Sequence, residues 1–125
     1  MRGVHLTADL TGCRDPAGLM RDGELLAALC EQLASQAGLS VVARQFHAFA
    51  PGPNGDSGHT GVLLLAESHL AVHTWPELRA VTLDVFVCNR VSDNTHKAER
   101  LLNVLVARFD AARVNRQQLA RGPAP

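Results

Sequence analysis

The chain has 125 residues, 46% of them hydrophobic, which is enough apolar material for one packed domain and excludes wholesale disorder. Lys and Arg number 12 and Asp and Glu number 12, so the formal charge is zero and no electrostatic footprint for nucleic acid or an anionic membrane is expected. No apolar run approaches the roughly 18–20 residues of a membrane span. The three scattered cysteines, Cys13, Cys30 and Cys88, suit reduced thiols in a cytoplasm better than a disulfide framework.

The opening residues lead directly into alternation, with no secretory leader expected. Val4, Leu6, Ala8 and Leu10 share one side and His5, Thr7 and Asp9 the other, the period of a half-buried strand. A helix is expected from about Gly23 to Ala37, with Leu25, Leu29 and Leu33 as its buried stripe, Asp22 as N-cap and Gly38 at its end. Leu39 to Phe49 reads as a strand, and Pro51 to Gly58 as a loop by composition. A short apolar run from Gly61 to Ala66, a second alternating stretch from Leu70 to Trp75, and a strand from Val81 to Cys88 follow. From Asp93 the helical period returns, with Ala98, Leu101, Leu102, Leu105 and Phe109 as its stripe and Ser92 or Asp93 as cap. Propensity favours more helix over Arg113 to Arg121, ended by Gly122-Pro123. Several strands between only two helices predict one α/β domain of the α+β type with a mostly antiparallel sheet.

Chemistry concentrates in Glu67-Ser68-His69-Leu70-Ala71-Val72-His73-Thr74-Trp75-Pro76-Glu77. On a strand, His69, Ala71, His73 and Trp75 share a face, and Thr82, Asp84, Phe86 and Cys88 form the less aliphatic face of the next strand. A cavity walled by His73, Trp75, Phe86 and Cys88 is one arrangement of these residues. Taken singly, each also has a structural role: a satisfied histidine, a small core cysteine, a packed tryptophan. A zinc site from His69, His73 and Cys88 has an acceptable ligand set but lacks CxxC or HExxH spacing, so no metal is expected. A serine or thiol nucleophile beside His73 is the other chemical option, without a GxSxG turn to support it.

The run from Ala66 to Glu77, followed by Leu83-Asp84-Val85-Phe86-Val87-Cys88, resembles the bacterial and archaeal S-adenosylmethionine decarboxylase proenzymes, a self-processing pyruvoyl enzyme family. Phe46-His47-Ala48-Phe49 before Pro51, and a first strand ending in Thr11-Gly12-Cys13, fit the same family, so the likeness spans roughly His5 to Gly122. The resemblance implies a two-layer sandwich with both main helices on one face of the sheet, and a final strand over Arg113 to Arg121. It implies cleavage between Glu67 and Ser68 into residues 1–67 and 68–125, Ser68 attacking the Glu67 carbonyl and becoming the pyruvoyl group. His73 resembles the processing base, and Cys88 the donor that returns a proton to the substrate α-carbon. The pyruvoyl carbonyl would bind the substrate amine as a Schiff base and act as electron sink. Phe49 and Trp75 are the candidates for stacking on adenine, and Glu77 for the ribose hydroxyls.

This chain departs from the family pattern in several places. Asp9, a further substrate-binding candidate that the resemblance implies, stands where many relatives carry Glu, and the loop after Pro51 is about five residues longer than the family's compact form, a length taken from the resemblance. The assisting hydroxyl is therefore Thr60, which keeps the spacing to Ser68, or Ser57, which keeps the residue type. Val87-Cys88-Asn89 replaces Thr-Cys-Gly. The expected activity is decarboxylation of S-adenosylmethionine for spermidine synthesis, by a cytoplasmic homodimer with sites at its interface. The alternatives are an arginine or ornithine decarboxylase of the same family, or a non-catalytic paralogue.

Overall fold

A computed structural model of the chain describes residues 1–123. Strand β1 (Gly3–Thr11) leads through a short 3-10 turn at Leu19–Arg21 into helix α1 (Gly23–Gln36). Strands β2 (Val41–Ala48), β3 (His59–Leu65), β4 (Ser68–Trp75) and β5 (Ala80–Cys88) follow, then helix α2 (Thr95–Phe109) and strand β6 (Arg113–Arg121). The six strands form one antiparallel sheet in the order β2-β3-β4-β5-β1-β6.

One face of this sheet carries the core. Val4, Leu6, Ala8 and Leu10 of β1, Leu63 and Leu65 of β3, Leu70 and Val72 of β4, and Val81, Leu83, Val85 and Val87 of β5 are all buried. Both helices lie on that face. Helix α2 contributes Ala98, Leu101, Leu102, Leu105 and Phe109, as its period predicts. Each large side chain so buried stabilises the fold by roughly 1.5–3 kcal/mol. The resulting two-layer sandwich leaves the other sheet face bare.

Helix α1 is rotated from its expected setting. Leu25 is 44% exposed, and the buried stripe is Leu26, Leu29, Cys30 and Leu33. Burial pushes the Cys30 thiol up to about 12. Asp22 caps the helix by accepting from Leu25 N at 3.0 Å, and Gly38 follows its last turn with φ +91°. The N-cap of α2 is Asn94, not Ser92 or Asp93; Asp93 instead accepts from Thr95 N at 3.0 Å.

Residues Arg113 to Arg121 form a strand, as the family resemblance implies and not the helix that propensity favours. All nine are exposed, so no alternation of burial marks them. Their nine-residue register against β1, from Gly3↔Arg121 to Thr11↔Arg113, supplies through the backbone what side-chain burial does not. At the opposite edge, Phe46 of β2 lies over Gly61 of β3, where any Cβ would collide with its ring.

Candidate active site

The bare face gathers the polar residues of the central strands. His69 and His73 of β4, Asp84 and Phe86 of β5, and His5 of β1 all lie on it, half-buried. His69 stacks on Phe86 at 5.7 Å between ring centroids, and the Arg121 guanidinium lies 5.6 Å from the centroid of the same ring. His5 Nε2 is 3.2 Å from Asp84 Oδ1, yet its angle gives it no hydrogen bond among the described residues. Burial, then neighbouring His5 and Arg121, lower the pKa of His69, with Asp84 opposing.

Two groups of sequence-predicted site residues lie at opposite ends of β4. At its start, β3 turns into β4 through Ala66 and Glu67, with Leu65 opposite Ser68. Glu67 has φ +52°, a left-handed conformation that strains a residue with a Cβ by about 1–2 kcal/mol. The peptide following it is the expected scissile bond. Ser68 Oγ accepts from Cys88 N at 3.2 Å, so the serine and the thiol-bearing residue are joined across β4 and β5. Cys88 is only 9% exposed. Its carbonyl accepts from Asn94 Nδ2 at 2.8 Å, and Asn89 Oδ1 accepts from Asn94 N at 2.7 Å, which locks the start of α2 onto this strand end. Arg90 reaches back to Glu67 at 3.3 Å.

The second group surrounds a cavity of about 500 Å³ at the far end of β4. Phe49, Thr60, His73, Trp75 and Glu77 line it, together with Ala50, Gly52, Pro53, Asn54, Asp56 and Gly58 of the following loop. Thr60 Oγ1 lies 3.0 Å from His73 Nδ1, and the His73 ring stacks on Trp75 at 6.0 Å. The hydroxyl that meets the expected base is therefore that of Thr60, and Ser57 is not among the lining residues. Phe49 is 52% exposed and Trp75 37% exposed, so two aromatic surfaces face the opening. Glu77 sits in a 3-10 turn at Pro76–Leu78, and that turn is fixed by Cys13 N donating to Arg79 O at 3.0 Å. Asp9 shares the row of His73 through Thr82 but is exposed and does not line the cavity.

The cavity is thus not walled by His73, Trp75, Phe86 and Cys88 together; Phe86 and Cys88 belong to the Ser68 end of the strand. Ser68 and His73 lie five positions apart, about 16 Å along β4, and this odd spacing puts them on opposite sides of the pleat. His69 and His73 are four residues apart on the strand, about 13 Å, too far to share one ion. Among the described residues no three His, Cys, Asp or Glu side chains converge as a metal site. His59 was missed in the sequence: it lines the cavity from the core side, and its Nδ1 donates to Met20 O at 3.1 Å. Only its place before Thr60 pointed to it.

Both helices on one face of an antiparallel sheet define a two-layer α+β sandwich, and its candidate site residues gather at the two ends of one strand, a serine hairpin at one and a His-Trp-Glu cavity at the other. The family model for S-adenosylmethionine decarboxylase matches residues 4–122. The chain is 34% identical over 120 residues to the S-adenosylmethionine decarboxylase proenzyme of Aquifex aeolicus, covering 96% of this chain and 81% of that one. To the proenzyme of Acetivibrio thermocellus it is 33% identical over 120 residues, covering 96% and 88%. The crystal structure of the adenosylmethionine decarboxylase from Aquifex aeolicus matches with a TM-score of 0.82 at 30% identity, over 98% of this chain and 92% of that chain. The chain belongs to the S-adenosylmethionine decarboxylase family.

Proposed function

We propose that the chain cleaves itself between Glu67 and Ser68 and then decarboxylates S-adenosylmethionine, supplying the aminopropyl donor for spermidine synthesis. The observation that carries this reading is the left-handed Glu67 in a two-residue turn, directly before a serine whose Oγ is already held at the Cys88 amide. A strained peptide and a fixed hydroxyl help a weakly nucleophilic serine to attack the preceding carbonyl. The Ser68 oxygen attacks the Glu67 carbonyl and the Glu67–Ser68 C–N bond breaks, leaving an ester and a free Ser68 amine. Loss of the Ser68 α-proton then expels the Glu67 carboxylate from Cβ and releases residues 1–67, and water displaces the Ser68 nitrogen as ammonia to give the terminal carbonyl.

The residues present fit a pyruvoyl group at position 68, because the serine that would yield it lies beside the expected proton donor. Such a group supplies an electron sink for the bond to the leaving carboxylate. Cys88, on the neighbouring strand end, is positioned to return a proton to the α-carbon. Trp75 and Phe49 offer their faces to adenine and to a sulfonium cation, and the Glu77 carboxylate suits two ribose hydroxyls.

The two halves of this machinery belong together but are about 16 Å apart within one copy. We infer a homodimer in which Ser68 and Cys88 of one copy meet Thr60, His73, Phe49, Trp75 and Glu77 of the other. A two-fold contact brings the two ends of one surface together reciprocally, giving two equivalent sites. The bare sheet face, with exposed Leu64, Leu119 and Trp75 around its half-buried polar centre, supports such a partner. The three unpaired thiols, two of them in the deep core, suit a reducing cytoplasm. No helix among the described residues is long and apolar enough to cross a membrane.

The test is carbon dioxide release from S-adenosylmethionine, arginine and ornithine under matched conditions. Turnover of S-adenosylmethionine alone is the expected result. Preference for arginine or ornithine would overturn the substrate assignment while leaving the pyruvoyl chemistry in place.

A further inference from the structure

The loop from Ala50 to Gly58 forms one wall of the cavity and contains a single charged side chain, Asp56. Both carboxylate oxygens are taken by one guanidinium: Arg21 Nε donates to Oδ1 at 2.9 Å and Arg21 Nη2 to Oδ2 at 3.1 Å. Among the described residues no other side-chain hydrogen bond ties this loop to the rest of the molecule. The same bond holds the Asp56 carboxyl below its ordinary range and raises the Arg21 guanidinium.

Arg21 itself stands on a rigid base. Buried Asp15 accepts from Leu19 N and Met20 N, each at 2.9 Å, and so fixes the 3-10 turn that ends in Arg21. The Met20 carbonyl in that turn accepts from His59 Nδ1 at 3.1 Å and from Thr74 Oγ1 at 3.2 Å. His59 and Thr74 line the same cavity from β3 and β4. One wall and the floor of the cavity are thus pinned to two consecutive residues, Met20 and Arg21.

We propose that Arg21 is a positioning residue for the substrate cavity, its two-pronged grip on Asp56 holding the 50–58 loop as a preformed wall. A loop with Gly52, Gly55 and Gly58 has much freedom to lose, and ordering it in advance removes that loss from binding. The grip also occupies the one carboxylate of the loop, so Asp56 is structural and not a ligand for the substrate. The proposal rests on the decarboxylase reading above for the identity of the ligand.

The experiment uses the full-length, processed protein carrying Arg21→Met, Arg21→Lys, or the reversed pair Arg21→Asp with Asp56→Arg. KM for S-adenosylmethionine and amide hydrogen exchange across 50–58 are measured on each. Arg21→Met is expected to raise KM about three- to tenfold with kcat within about twofold, and to speed loop exchange. Lysine recovers part of the effect at most, because it cannot make the planar two-pronged contact, whereas the reversed pair restores both readouts. Wild-type KM in Arg21→Met refutes the role in the cavity, whatever the exchange shows. Wild-type loop exchange in that variant refutes the grip itself. A wild-type protein that does not turn over S-adenosylmethionine, with loop exchange still faster in Arg21→Met, overturns the decarboxylase reading and upholds the grip.

Discussion

Two variants that are each unable to cleave should restore cleavage when paired, if Ser68 of one copy works with His73 of its partner. Ser68→Ala removes the nucleophile and His73→Ala removes the base. Within one chain the two positions are five residues apart on an extended strand, about 16 Å, whereas direct proton transfer needs about 3 Å. No rotamer change closes that gap, because both residues belong to β4, which pairs on both sides with β3 and β5. With random pairing of equal amounts, about half of the dimers are mixed, and each mixed dimer holds one complete set. About half of the His73→Ala chains should then cleave, and no Ser68→Ala chain should. Co-expression with distinguishable tags followed by denaturing mass spectrometry reads both numbers. Absence of cleavage in mixed dimers isolated by tandem tag capture would refute the shared site.

Cys88→Ala should still cleave itself but decarboxylate about 10²- to 10⁴-fold more slowly, the size of a lost proton donor; full activity without the thiol would remove its assigned role. Glu67→Gly should accept the left-handed turn without strain, stabilising the uncut chain and slowing cleavage about fivefold, as followed by the disappearance of the full-length band. An Arg90→Ala control separates this effect from loss of the Arg90–Glu67 pair, and an unchanged rate in Glu67→Gly would show that strain does not drive the step. The depressed pKa of His69 makes the folded state resist its protonation, so the unfolded chain takes up that proton first as pH falls below about 6.5. Stability contributed by neutral His69 is therefore present above that pH and lost as pH falls through the folded value. His69→Gln should flatten the fall in Tm between pH 7.5 and 5.5, and an equally steep fall would assign it elsewhere.

Strands β1, β4 and β5 were legible because one side of each is buried and the other is not, and that difference is written as alternation. Strand β6 was legible only through the family resemblance and not through its own pattern, since neither of its sides is covered and its place depends on backbone pairing with β1. Helix α1 was legible as a helix but not in its rotation: Cys30 and Leu26 take the inner side while Leu25 faces out, a choice that packing against the sheet makes. In the site, the period of two correctly gave His69, His73 and Trp75 one face. That period carries no information on distance along the strand, and so it does not separate Phe86 and Cys88 from a cavity that forms at the other end. The choice between Thr60 and Ser57 needed the β3–β4 register, which puts Thr60 opposite His73. The Arg21–Asp56 pair joins residues 35 positions apart and had no sequence signal.

The denatured mass of the freshly purified protein tests the central claim most directly. Two fragments split between Glu67 and Ser68, the second carrying a pyruvoyl group in place of its amino-terminal serine, are predicted. A single full-length mass that persists on long incubation would contradict self-cleavage and leave a non-catalytic member of the family.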